Sequence, residues 1–376
     1  MSDLSTVDVP QITTDELRER LDNGAPTLVL DIRPAEDFEE WHVPGSRNVP
    51  AYASLKQGEP GLLANTPLPD DRPIVTVCGA GKTSRTAAEW LRRHGKNAYS
   101  LTGGLESWTF AWNTAEVELP NVPAHVVQVR RTGKGCLSYV LASKGAAFVI
   151  DPALEPAVYE RIAGERGWQI VGIADTHIHA DHFSRGQRLA ERIDAPLYLP
   201  RQNRVSYEFT PVAPGEELTI GAARIVAHHT PGHTPEHVTF EVDSRALFTG
   251  DTLFTSGVGR PDLDAGDGGG REKAHRLYHS LQPLMTLPED ILVLPGHTSR
   301  PVDFDEAVIG APLREVKERV ESLRWSESRF VDEILDRVPP TPPNHDTIII
   351  INETGEWPAP DQIVDLEAGA NRCAVE

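Results

Sequence analysis

The sequence predicts an α/β protein in two parts. A doubly wound parallel sheet over residues 1–116 is followed by two sheets sandwiched between helices over 125–298, with a C-terminal extension over 299–376. Three observations carry this. The length of 376 residues exceeds what one compact domain usually holds. Residues 13–112 alternate helix-type and strand-type stretches, the rhythm of parallel strands joined by crossover helices. After the proline-punctuated stretch AEVELPNVPAHV that rhythm gives way to paired strands, so residues 117–124 read as a linker.

In the first part, TTDELRERLDNG opens on a threonine cap, spaces Leu17 and Leu21 four apart, and stops at Gly24. TLVLDI at 27–32 and PIVTVC at 73–78 are apolar runs of strand length, as expected for strands buried on both faces. The second runs through a glycine-containing loop into the helix SRTAAEWLRRHG, closed by Gly95; NAYSL and GGLESWTFAW supply another strand and helix. In the second part VVQVRR, LSYVLAS and AAFVIDP read as strands, followed by a helix over 156–166 and the strand VGIADTH. A helix begins near Ser184, and further strands cluster at 219–228 and 237–250. GDGGGREK at 266–273 reads as a flexible loop. An amphipathic helix over 312–324 precedes the break VPPTPPN, and the apolar run IIII at 348–351 is strand-sized.

Bulk properties narrow the function. With 56 acidic and 36 basic residues the formal net charge is −20, a field that repels phosphate backbones and anionic lipid. Neither nucleic acid nor a membrane is therefore expected as a partner. Cys78, Cys136 and Cys373 are odd in number and far apart, which is no disulfide framework and suits a reducing cytosol. No apolar run approaches the ~20 residues that span a bilayer, and MSDLSTVDVP lacks a signal-peptide pattern. The expected location is cytoplasmic.

DTHIHADH at 175–182 crowds three histidines and two aspartates into eight positions. Unpaired, they are too costly for a core; together they suit a metal. On an extended segment His177 and His179 face the same way, and Asp181 and His182 follow where the chain turns into a helix. More donors recur at strand–loop boundaries: His233 in HHTPGHTPEH, Asp251 in FTGDTLF and His297 in LVLPGH. His228, His229 and His237 read as structural groups or as supports for ligands, and His42, His94, His125 and His345 as ordinary histidines.

The motifs HxHxDH, GHT, GDT and PGH, in that order over about 125–298, resemble the metallo-β-lactamase fold superfamily. Within it GVGRPDL at 257–263, LYHSL at 277–281 and GANRCAV at 369–375 resemble the persulfide dioxygenases more than glyoxalase II. That resemblance implies an αββα sandwich and one iron(II) held by His177, His233 and Asp251, with open positions for O₂ and a persulfide sulfur. It also implies that Arg260 and Asp262 brace the site, or that Arg260 recognises the carboxylates of a thiol carrier. His179, Asp181, His182 and His297 would complete a second metal site in a dinuclear zinc hydrolase, or support the first. Iron against zinc rests on the resemblance alone.

CGAGKTS begins at Cys78 on a strand end and runs into a helix. It is no P-loop, because the required first glycine is Thr76. Gly79 and Gly81 instead let backbone N–H groups converge on the sulfur, while the helix N-terminus, Lys82 and Arg85 add positive potential. A thiolate there is a nucleophile for sulfane sulfur. LDIRPAEDFEEWHVPGSRNVP and LTGGLESW resemble single-domain rhodaneses over positions 10–116, with Cys78 at the sulfur-accepting position and Asp31 and Arg33 structural.

The expected function is thus a bifunctional sulfur enzyme: an iron-dependent persulfide dioxygenase joined to a rhodanese sulfurtransferase. Its partners are a small-molecule thiol persulfide, thiosulfate or sulfite, and O₂; a homo-oligomer is compatible with the sequence. The alternative is a zinc-dependent thioesterase of the glyoxalase II type with an accessory rhodanese module.

Overall fold

Five short parallel strands build the first sheet in the order Gln11–Ile12, Ala98–Leu101, Ile74–Val77, Leu28–Asp31, Arg47–Asn48. The structure is a computed structural model that describes residues 8–263 and 266–376. Thr13 caps the helix Thr14–Asp22 through a capping box closed by Glu16, as the sequence predicts. Asp31 is in register with Val77, so Ile32 and Cys78 leave the sheet at the same carboxyl edge, where doubly wound sheets place their chemistry.

Two further sheets form the sandwich. The seven-stranded one runs Thr210–Val212, Leu197–Pro200, Gln169–Ala174, Ala146–Ile150, Leu137–Ser143, His125–Arg130, Asn113–Val117. The six-stranded one runs Glu217–Ile220, Ala223–His229, Val238–Val242, Ala246–Gly250, Leu292–Pro295, Ala311–Pro312. Along Leu137–Ser143 the period of two divides the side chains: Tyr139 and Leu141 enter the core between the sheets, Val140 and Ala142 the layer beneath the helices Pro156–Glu165 and Gly186–Ile193. The outer face of the six-stranded sheet packs on the helices Gly266–Leu284, Leu313–Arg319 and Glu327–Asp336. Four strands that end at one rim, at Ala174, His229, Gly250 and Pro295, each run straight into a segment carrying candidate donors.

Three expectations are corrected. Residues 117–124 are not an interdomain linker: Asn113–Val117 pairs antiparallel with His125–Arg130, so the sandwich starts at Asn113 and the prolines sit in a hairpin within it. The inward alternation of Asn113, Ala115 and Val117 sets that pairing. GDGGGREK is not a loop but the start of the helix Gly266–Leu284, whose Ala274, Leu277, Leu281 and Leu284 are fully buried at helical spacing, so packing overrides the poor propensity of its glycines. The run at 348–351 belongs to the helix His345–Thr354, ended by Gly355 at φ 70°; Ile348 and Ile349 point inward and Ile350 outward.

Candidate functional site

His177, His233 and Asp251 converge, all buried, with donor atoms within 4.8 Å of one another. Asp251 Oδ2 lies 3.9 Å from His177 Nε2 and 3.6 Å from His233 Nε2. None of these three atoms has a hydrogen-bond partner. Buried polar atoms are rarely left so, and one ion with bonds of roughly 2 Å bridges such separations. The donor set thus fits a metal.

Each donor is aimed by a partner on its other side. His177 Nδ1 meets Thr176 Oγ1 at 2.9 Å, and that hydroxyl donates to Asp151 Oδ2 at 2.9 Å. His233 Nδ1–H donates to the Arg260 carbonyl at 2.8 Å. Asp251 is held twice: its Oδ1 accepts from His297 Nδ1 at 2.6 Å, and its backbone N–H donates to His237 Nε2 at 3.0 Å. His237 also stacks on His177, 4.8 Å between centroids. Gly250 must be glycine: at φ 46°, a Cβ would lie 2.5 Å from Thr176 Oγ1 and 2.6 Å from His237 Nε2.

Burial governs the charges. It holds His177 well below the usual imidazole range, helped by His179, His237 and His233, and pushes His237 down to about 3. His233 is lowered by burial against the pull of Asp251. Burial alone would raise Asp251, but His297 and His233 pull it to about 2. Two neutral imidazoles and one carboxylate therefore offer lone pairs at neutral pH.

His179 does not join them. Its ring lies beside that of His177, 4.2 Å between centroids, as the spacing of two predicts, but its nitrogens group with Asp151 and Asp175: Nε2 is 3.3 Å from Asp151 Oδ1, and neither nitrogen is hydrogen-bonded. Asp181, His182 and His297 do cluster, together with a residue the sequence left without a role, Cys136. Asp181 Oδ1 faces His182 Nδ1 at 3.0 Å, and Asp181 Oδ2 faces His297 Nε2 at 2.8 Å. His297, opposed by burial, is raised well above the ordinary value by Asp181 and Asp251.

Arg260 is fully buried. It grips Asp262 at 2.8 and 2.7 Å, and its Nη1 donates to the carbonyls of Pro340 and Arg372. It braces the C-terminal tail, and its guanidinium is taken up by Asp262 and these two carbonyls. A small, mostly apolar cleft lined by Ile178, Ala180, Leu263 and Ile349, with Arg204 and Thr234 also on its wall, reaches His233. His228 and His229 lie away from this centre, on Glu241 and the Pro235 carbonyl. Asn371 and Asn352 were not foreseen: Asn371 donates to Asp181, and Asn352 to the carbonyls of His179 and His182.

Cys78 occupies a second, separate position. Its sulfur accepts from Ser84 N–H at 3.3 Å and lies 3.4 Å from Ser84 Oγ, which in turn meets Ser100 Oγ at 3.0 Å. Gly81, at φ 76°, caps the helix Lys82–Arg93 in the left-handed conformation that aims this amide. Gly79 borders the loop, and Lys82 and Arg85 are exposed on the helix's first turns. Ser84 is the contact the sequence reading missed. Asp31 and Arg33 form a bidentate pair whose guanidinium also holds the Trp41 carbonyl, a structural role.

Residues 131–297 match the metallo-β-lactamase superfamily. A hydroxyacylglutathione hydrolase of Methylococcus capsulatus is 34% identical over 198 residues, 51% of this chain and 74% of that protein. The chain belongs to the metallo-β-lactamase superfamily. Ahead of that domain, residues 13–111 match the rhodanese-like domain. A hydroxyacylglutathione hydrolase of Methylobacillus flagellatus is 36% identical, across 42% of this chain and 60% of its own length, so the chain spans about three fifths of that relative. Among solved structures, ETHE1 from Myxococcus xanthus aligns with TM-score 0.53 and 28% identity over 60% of this chain and 96% of its own. A metallo-β-lactamase from Staphylococcus aureus aligns with TM-score 0.58 and 26% identity over 62% and 74%. Among the described residues no helix is long and apolar enough to cross a membrane.

Proposed function

We propose that the metallo-β-lactamase domain is a single-iron persulfide dioxygenase and the rhodanese-like domain a sulfurtransferase. The overall reaction is RSSH + O₂ + H₂O → RSH + SO₃²⁻ + 2H⁺, with the sulfane sulfur oxidised and dioxygen reduced. One observation carries the reading: His177, His233 and Asp251 all aim unpartnered donor atoms at one common point, whereas in the neighbouring cluster Asp181 is already hydrogen-bonded, although the Nε2 atoms of His182 and His297 lack partners. Iron(II) held by such a triad would offer open positions for a sulfur and for O₂, and a path for the electrons that the sulfane sulfur gives up to dioxygen. The protein's part is positional. Thr176, the Arg260 carbonyl and His237 fix the three donors, and the apolar cleft of Ile178, Ala180, Leu263 and Ile349 limits water. At the other site Cys78 attacks the outer sulfur of thiosulfate, releasing sulfite and keeping a persulfide beside Ser84 N–H.

A second reading has its own support. The hydroxyacylglutathione hydrolases among the relatives, and the cluster of Asp181, His182 and His297, favour a dinuclear zinc thioesterase. Metal analysis with an oxygen electrode separates the two. The dioxygenase reading expects about one iron per chain and O₂ uptake with glutathione persulfide. Two zinc ions, thioester hydrolysis and indifference to oxygen would replace it with the hydrolase.

A further inference from the structure

We propose that the C-terminal tail keeps a second ion out of this centre: Asn371, with Cys136, holds Asp181 as a hydrogen-bonded carboxylate instead of a ligand. The inference rests on the one-ion reading of the site and names what enforces it. In a two-ion centre Asp181, His182 and His297 would hold the second cation; the Nε2 atoms of His182 and His297 already lack hydrogen-bond partners, so the state of Asp181 decides. Here Asn371 Nδ2 donates to Asp181 Oδ2 at 2.7 Å, and the Cys136 thiol lies 3.6 Å from the same oxygen. His297 Nε2 faces that oxygen too, at 2.8 Å, and His182 Nδ1 takes the other one at 3.0 Å. A carboxylate oxygen has two lone-pair sites, so Oδ2 is saturated, and the partly positive amide N–H sits where a cation would approach.

The tail is built to stay there. Asn371 is 5% exposed and its Oδ1 accepts the Cys373 N–H at 2.9 Å. Arg260 N–H donates to the Cys373 carbonyl at 3.0 Å, Arg260 Nη1 holds the Arg372 carbonyl at 3.1 Å, and Ala374–Val375 pairs antiparallel with Val258–Gly259. Access does not explain the exclusion. Asp181 lines a cavity of about 200 Å³ shared with Glu40, Lys134, Asn344, Ile348 and Arg372, so it is not walled in by solid packing. Selection therefore lies in the hydrogen bonds, and Asn371 is a positioning residue for metal number.

The test is metal stoichiometry. Full-length protein stripped of metal is incubated with excess zinc(II), or separately cobalt(II), passed through gel filtration, and assayed for bound metal per chain. Wild type is expected to retain one ion, and Asn371→Ala and Asn371→Asp two; the aspartate matches asparagine in size and keeps the test open if the alanine variant does not fold. Wild type retaining two ions overturns the proposal, as do folded variants that still retain one. A thiolate-to-cobalt absorption band in wild type, lost in Cys136→Ser, also overturns it, because Cys136 would then be a ligand. A wild type that takes one ion yet consumes no oxygen sinks the dioxygenase reading and leaves this inference standing.

Discussion

His237 touches no ligand atom that faces the ion, yet the centre depends on it. Burial keeps it neutral, pushed down to about 3, so its Nε2 accepts the Asp251 N–H while the hydroxyls of Thr230 and Thr252 take its Nδ1. His237→Phe keeps a ring against His177 but leaves that buried amide unpaired, a penalty of about 1–3 kcal/mol. Metal affinity is expected to fall roughly 10- to 100-fold, read by competition with a chromophoric chelator; an unchanged affinity would mean that His297 alone orients Asp251. Replacing His233 itself with alanine removes one of three donors, so stoichiometric binding should be lost in the same assay. His177, His233 and Asp251 were legible as candidate donors because each stands in a short motif just past a strand end, and the resemblance picked them out as a set. The grouping of His179 with Asp151 and Asp175 was not legible, since Asp151 arrives from the end of another strand. Cys136 and Asn371 were invisible because they reach Asp181 from 45 and 190 residues away.

At the scale of elements, the helix Pro360–Glu367 fastens the extension to the sandwich through one side chain. Glu367 is fully buried, pairs with Arg185 at 2.5 and 2.9 Å and Arg131 at 3.1 Å, and accepts the Phe183 N–H at 2.6 Å. Burial alone would raise its pKa, but Arg185 and then Arg131 hold it at about 2. A carboxylate depressed in the fold stabilises fully above its unfolded value of about 4.3. That stabilisation is lost as pH falls toward 2. Glu367→Gln should cost about 3–5 kcal/mol at neutral pH, because two guanidinium groups lose their counter-charge. Urea unfolding at pH 7 and near pH 3 checks both parts: the gap between wild type and variant should narrow in acid, and a constant gap would show that packing, not charge, is lost. None of this was legible, since Glu367 lies 182 residues from Arg185. The glycine-rich start of Gly266–Leu284 misled for the converse reason: local propensity pointed to a loop, and burial farther along the helix decided the matter.

The whole molecule joins its two domains by more than the chain. Asn113 follows the rhodanese-like helix Gly104–Trp108 by a few residues and already lies in the sandwich sheet, so no flexible segment separates them. The Thr109 carbonyl accepts from Arg131 Nε at 2.7 Å and the Thr109 hydroxyl donates to the Glu367 carbonyl at 3.3 Å. Arg372 of the tail pairs with Glu40 of the first domain, and a Cβ on Gly133 would collide with the Trp108 carbonyl. Three parts of the chain thus share buried polar groups that neither domain satisfies alone, and such groups are costly to strand. Thermal unfolding followed by near-ultraviolet dichroism and calorimetry is expected to give one transition, with calorimetric and van't Hoff enthalpies in agreement. Two separated transitions would show that the interface adds little. The chemistry should divide where the stability does not, because Cys78 and the His177, His233 and Asp251 cluster rest on different sheets. Cys78→Ser should abolish thiosulfate sulfurtransferase activity and leave oxygen uptake with added glutathione persulfide within about twofold of wild type. A parallel fall in both rates would mean that sulfur passes from one site to the other through Cys78, and that the two domains share a step as well as an interface.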